Sequence, residues 1–214
     1  HVYEKQLGCK CDVLYLLDKS ITHNEIKQKI GKADLIYVGG GNTLKLMRRW
    51  RLLGVDAELK KAATRGATLA GSSAGALCWA SYGHSDSMAY YHPKNWDYIR
   101  VKCMGVLPVL LCPHYLKEKR DDSFKAMVKQ IGGWGIALDD CTALQLDGDK
   151  IRFINSNPDA KSYLVKKVKG EIIETAFEMN KLVSTYIQLC KDYPNAFIGT
   201  YAYQITRRPP RDLV

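Results

Sequence analysis

The stretch LAGSSAGALCWA, residues 69–80, sets Ser73 at the centre of Gly71-Ser72-Ser73-Ala74-Gly75, with a glycine two residues to either side. A serine hydroxyl becomes a nucleophile only when a neighbouring base takes its proton and a sharp turn lifts it to where a carbonyl can approach. The G-x-S-x-G spacing suits such a strand-to-helix turn, because the residues flanking the serine must be small. A helix beginning after Ser73 directs backbone N–H groups towards the site, so Ala74 N–H is a candidate oxyanion donor. A second glycine turn, Gly39-Gly40-Gly41 before Asn42 and Thr43, offers Gly40 or Gly41 as the other donor. The competing reading of both turns is structural, a plain tight turn or a phosphate loop. GGGNT lacks the lysine of a P-loop and the spacing of a dinucleotide fingerprint.

A base has to come from five histidines. His1 is terminal, His23 sits in a polar helical stretch, and His84 and His92 fall in YGHSDSMAYYHPKNWDY, which reads as a lid-like loop. His114 ends the apolar run VLPVLLCPHY, where a parallel strand delivers side chains to the sheet's carboxyl edge. It is the expected base. The acid that orients it can be Asp139 or Asp140 in GIALDDCTAL, or Asp86 in the lid-like loop. Adjacent strand residues face opposite ways, so only one of Asp139 and Asp140 is expected to reach His114. The order Ser73, His114, Asp140 differs from the Ser, Asp, His order of α/β-hydrolases.

These residues need a scaffold, and the apolar patterning supplies one. CDVLYLL (11–17) reads as a buried strand, ITHNEIKQKIGKAD as a short amphipathic helix, and DLIYV (34–38) as a strand running into the glycine turn. NTLKLMRRWRLLG then forms a helix capped by Asn42 or Thr43 and ended by Gly54; a helix around VDAELKKAATR leads to ATLA and the serine turn. MGVLPVLLCPHY and GIALDD read as further strands separated by the helical KRDDSFKAMVKQIGG. LQLDGDKIRFI and YLVKKVKGEIIETA alternate around DG and KG turns as antiparallel hairpins do, and FEMNKLVSTYIQLCKDY is expected to close the chain as a helix. The fold class is α/β: a mostly parallel sheet flanked by helices, with antiparallel hairpins near the C-terminus. HVYEKQLGC reads as the end of a helix, so residues 1–214 are expected to form a single domain lacking its first strand and helix.

Composition narrows the class. At 46% hydrophobic and 25% charged residues the chain has the balance of a globular protein rather than a disordered one. No run approaches the roughly 20 apolar residues of a membrane span, and the first residues lack a signal peptide's apolar stretch, which points to a cytoplasmic protein. The seven cysteines are odd in number and scattered, which suits reduced, mostly buried thiols; the lone Cys9-x-Cys11 lacks the second pair a zinc site requires. The net charge of +10 is spread along the chain apart from KKVK (166–169) and RRPPR (207–211), a pattern of a solvated basic face rather than of a nucleic-acid surface.

Taken in the order YVGGGNTLKLM, GSSAGALCWA, GHSDSMAYYHPKNWDYIRVKCMGVLPVLLCPHY and GIALDDCTAL, the sequence resembles the peptidase E family of serine peptidases, which includes aspartyl dipeptidases and cyanophycinases. The resemblance implies the class I glutamine-amidotransferase-like α/β fold, with Ser73 as nucleophile, His114 as base, and Gly41 and Ala74 as oxyanion donors. Members carry a glutamate as the third triad residue; the matching position here is Asp140, whose shorter side chain has to approach His114 more closely. Recognition of an aspartyl side chain implies a basic group, for which Arg120 is the nominee. The resemblance further implies a metal-independent hydrolase without cofactor, taking a small peptide, with a homodimer as a compatible assembly. An amidase or esterase using the same triad, and a peptidase-like binding protein without chemistry, are the alternatives.

Overall fold

The computed structural model describes residues 2–148, 150–180 and 182–185, the last four by backbone alone. Val2–Gln6 form one π-helical turn. Helix α1 (His23–Lys32) starts at Thr22, whose hydroxyl accepts Glu25 N–H, and buries Ile26 and Ile30. Strand β1 (Leu35–Val38) enters the glycine turn. Helix α2 (Thr43–Leu53) is capped by Asn42 and stopped by Gly54 at φ 70°, and α3 (Val55–Arg65) leads to β2 (Thr68–Gly71). β1 and β2 pair in parallel, so both glycine turns open at the same end of the pair.

The single turn of α4 (Ala74–Leu77) feeds β3 (Ala80–Ser85), followed by β4 (Ile99–Lys102), β5 (Leu107–Cys112), α5 (Asp121–Ile131) and β6 (Trp134–Leu138). Two hairpins follow: β7 (Thr142–Asp147) with β8 (Lys150–Asn155), and β9 (Ser162–Val168) with β10 (Glu171–Ala176). The largest sheet runs β10-β9-β6-β5-β3-β4, with β3, β5 and β6 parallel at its centre and antiparallel strands outside. This is the α/β architecture expected, with helices over a parallel centre and the hairpins towards the C-terminus.

Alternation along β5 builds the layers. Val109 and Leu111 face the β7–β8 hairpin with Ile136, Ile151 and Phe153, while Leu110 and Cys112 face α5 with Phe124 and Val128. α5 lies so close that a Cβ on Gly135 of β6 would stand 2.6 Å from the Phe124 ring. A third cluster joins α1, α2 and α3 to Trp79 and Val101.

Four expectations are corrected. CDVLYLL forms no strand: Leu14 and Leu16 pack partly against the helical cluster, Tyr15 and Leu17 are exposed, and its carbonyls are met by side chains, Arg49 Nε to Leu16 O at 2.7 Å and Lys29 Nζ to Val13 O at 2.9 Å. GHS belongs to β3 rather than to a loop. The segment expected to close the chain as a helix holds no helix at residues 177–180 and carries β11 (Leu182–Thr185), which pairs antiparallel with β8; Lys181, residues 186–193 and the RRPPR stretch lie outside the described residues. Of six described cysteines, all free, Cys78, Cys103 and Cys112 are buried and Cys9, Cys11 and Cys141 exposed, so burial is less general than expected.

Candidate active site

The serine turn is forced by its glycines. Ser72 N–H donates to Val38 O at 3.1 Å, drawing the turn against the end of β1. A Cβ on Gly75 would overlap that Val38 carbonyl, and one on Gly71 would overlap Gly75 O, so neither position admits a side chain. Between them Ser73 takes φ 53° and ψ −118°, a conformation that costs a non-glycine residue about 1–3 kcal/mol. Gly75 N–H closes on Ser72 O at 2.8 Å, and Ala76 and Leu77 N–H on Ser73 O at 3.0 Å; Ala74 N–H takes no part in these bonds. Tyr37 OH donates to Ser72 Oγ at 3.0 Å, leaving Ser73 as the serine of this turn not engaged by Tyr37.

The other glycine turn packs on this one. A Cβ on Gly40 would come 3.3 Å from Ser73 Cβ, whereas Gly41, at φ 137°, has open space on its Cβ side. Asn42 anchors the turn: its Oδ1 accepts Lys45 N–H at 2.9 Å and its Nδ2 donates to Ser87 O at 3.0 Å, while Ser87 Oγ accepts Leu44 N–H.

His114 follows β5 and Asp140 follows β6, and the two strands are parallel, so both side chains emerge at the same carboxyl edge. Tyr115 N–H to Leu138 O at 3.1 Å and Leu116 N–H to Asp139 Oδ1 at 2.9 Å tie the two loops together. His114 Nδ1 and Asp140 Oδ1 are 2.5 Å apart. An imidazole that donates from Nδ1 presents Nε2 as acceptor. Asp140 Oδ2 also accepts from Lys117 Nζ at 2.5 Å; Lys117 first, then His114, hold the Asp140 carboxyl below the usual carboxylate range against the opposing effect of burial. The structure therefore brings His114 and Asp140 together, and Gly40 and Ser73 together. Among the described residues no hydrogen bond joins Ser73 Oγ to His114.

Asp139 and Asp86 go elsewhere, Asp139 to Leu116 N–H and Asp86 to within 3.7 Å of Arg120. Arg120 does not stand open to a substrate. Its side chain is 2% exposed, its Nε and Nη2 donate to Glu118 Oε2 at 2.9 and 2.5 Å, Nη1 donates to His84 O at 3.2 Å, and the guanidinium lies over the Tyr98 ring. A buried guanidinium already neutralised by carboxylates has no unpaired charge to offer, which corrects its nomination as the aspartyl-binding group.

His84, read as a loop residue, is wholly buried in β3, stacked on Tyr98 and placed between Ser123 Oγ (3.0 Å) and Cys112 Sγ (3.5 Å). Burial, aided by the Arg120 charge, pushes its imidazole down to about 3, and burial pushes the Cys112 thiol up, so this pair is neutral and structural. Lys117 was not foreseen; its only sequence signal is its place three residues after His114. Among the described residues no cluster of three His, Cys, Asp or Glu side chains is arranged to hold a metal ion, and no helix is long and apolar enough to cross a membrane.

The profile of peptidase family S51 matches residues 1–154. The chain is 35% identical to an uncharacterized peptidase, YgaJ, of Bacillus subtilis over 66% of its own length and 60% of that protein's. It is 33% identical to peptidase E of Citrobacter koseri over 40% of this chain and 36% of the relative, so it spans 60% of one and 36% of the other of these curated relatives. Among solved structures, a peptidase E protein from Listeria monocytogenes EGD-e aligns with a TM-score of 0.48 at 19% identity, covering 81% of this chain and 74% of that one.

Proposed function

Because the chain belongs to peptidase family S51, we propose that it is a serine peptidase that cleaves small peptides through an acyl-enzyme on Ser73. The observation that carries the reading is the His114 Nδ1 to Asp140 Oδ1 pair at the carboxyl ends of β5 and β6, together with the strained serine turn at the carboxyl end of β2. His114 Nε2 takes the Ser73 hydroxyl proton as Oγ bonds to the scissile carbonyl carbon, and the carbonyl oxygen becomes an oxyanion. Gly41 and Ala74 N–H groups receive that charge. Collapse expels the amine, which leaves with the proton from His114, and water then repeats the sequence to release the acid. Asp140 keeps Nδ1 protonated and stabilises the imidazolium without itself taking the proton.

The substrate is a short peptide. With Arg120 neutralised by Glu118, an N-terminal aspartyl requirement has lost the cation nominated for it, so broader first-residue tolerance is expected. A fluorophosphonate probe and a dipeptide panel varying the first residue test the proposal. Wild type should label at Ser73 and hydrolyse part of the panel, and Ser73→Ala should lose both by several powers of ten with unchanged melting. An unlabelled, inactive wild type would instead favour the binding scaffold without chemistry.

A further inference from the structure

The Asp140 carboxylate is shared, one oxygen to each of two partners. Oδ1 meets His114 Nδ1 and Oδ2 meets Lys117 Nζ, both at 2.5 Å. Lys117 and His114 ride on one turn, closed by Glu118 N–H to His114 O at 3.0 Å, and the neighbouring Asp139 carboxylate holds that turn by accepting from Leu116 N–H. We propose that Lys117 is a positioning residue of the triad: it clamps the short aspartate side chain in the orientation that keeps Oδ1 on His114. The inference rests on the reading of Ser73, His114 and Asp140 as a triad.

The physical need is specific to aspartate at this position. Rotation about its terminal bond is broad, and one hydrogen bond to the imidazole leaves the carboxylate plane free to turn. A second bond to the opposite oxygen fixes the plane, and the His114 ring inherits that orientation through Nδ1–H. Coulomb attraction alone is a weak explanation, because the Lys117 side chain is 70% exposed and an exposed ion pair contributes little to stability. What the contact supplies is geometry. The same exposure means that Lys117 can be replaced without opening the core.

Labelling by a fluorophosphonate reads the activated serine without a known substrate. Lys117→Met is expected to slow the maximal labelling rate about tenfold while the probe's half-saturating concentration stays within about twofold, as for a group acting on the reacting geometry rather than on binding. Lys117→Arg, which keeps a donor to Oδ2, should recover most of the rate. In an Asp140→Asn background Lys117→Met should have almost no further effect, because residues acting through one contact are not additive. Wild-type protein that fails to label overturns the triad reading and this inference together. Wild type that labels normally, with Lys117→Met labelling as fast or with its loss undiminished in the Asp140→Asn background, overturns the role of Lys117 alone.

Discussion

The Gly40 backbone lies against the Ser73 side chain, close enough that a Cβ at position 40 would stand 3.3 Å from Ser73 Cβ and 3.8 Å from its Oγ. Two glycine turns far apart in sequence thus form one surface, held by the parallel pairing of β1 and β2. Gly40→Ala should cost about 1–2 kcal/mol, since its Cβ would press at 3.3 Å on Ser73 Cβ, which moves only with its backbone, and should slow Ser73 labelling by crowding the hydroxyl. Gly75→Ala should cost about 3 kcal/mol or prevent folding, because its Cβ would overlap the Val38 carbonyl, which is fixed backbone. Urea midpoints and labelling rates on the two variants separate these outcomes; equal stability loss would contradict the packing.

Ser73 is held at φ 53° and ψ −118°, a region that glycine enters freely. Ser73→Gly should therefore raise stability by about 1 kcal/mol while abolishing labelling, whereas Ser73→Ala keeps the strain and stays within about 0.5 kcal/mol of wild type. A lower urea midpoint for Ser73→Gly would show that the turn is not strained.

Asp140 links the site to pH. Lys117 and His114 hold its carboxyl below the ordinary range, so its ionised form stabilises the fold fully above about pH 4, the unfolded value, and this contribution disappears as pH falls through the lower folded value. The stability difference between wild type and Asp140→Asn should be constant near neutrality and shrink below about pH 4 in denaturation curves. At pH 7 the variant should also lose orders of magnitude in turnover, as an amide favours the wrong imidazole tautomer.

His84 gives a second signature at higher pH. With its imidazole pushed down to about 3, the folded chain leaves it neutral where the unfolded chain begins to protonate it, below about 6.5. Stability should fall as pH drops through that window, with a slope approaching about 1.4 kcal/mol per pH unit. His84→Gln should flatten the slope, whatever it costs at pH 7. An unchanged slope would mean that His84 protonates in the fold.

Much of the site was legible because its signals are local. Steric overlap at Gly71 and Gly75 is a property of a tight strand-to-helix turn, so the spacing around Ser73 announces the turn wherever it occurs. The Asn42 cap and Gly54 stop of α2 follow from the same short-range backbone chemistry. The position of His114 after an apolar run placed it at a strand end without knowledge of the neighbours.

The order of turns, caps and apolar runs, and through the motifs the family, thus follow from residue types along the chain. Which side chains pair with one another depends on the fold, because it depends on which distant segments share an edge. CDVLYLL had a strand's composition, yet a strand needs a ladder, and side chains of α1 and α2 took its carbonyls instead. Arg120 was the nominee for a substrate's carboxylate, but Tyr98, His84 and Asp86 arrive from other elements and bury its charge. Asp139 and Asp140 are adjacent and chemically identical; only the docking of the His114 turn against the end of β6 sends one carboxylate to a backbone N–H and the other to the imidazole.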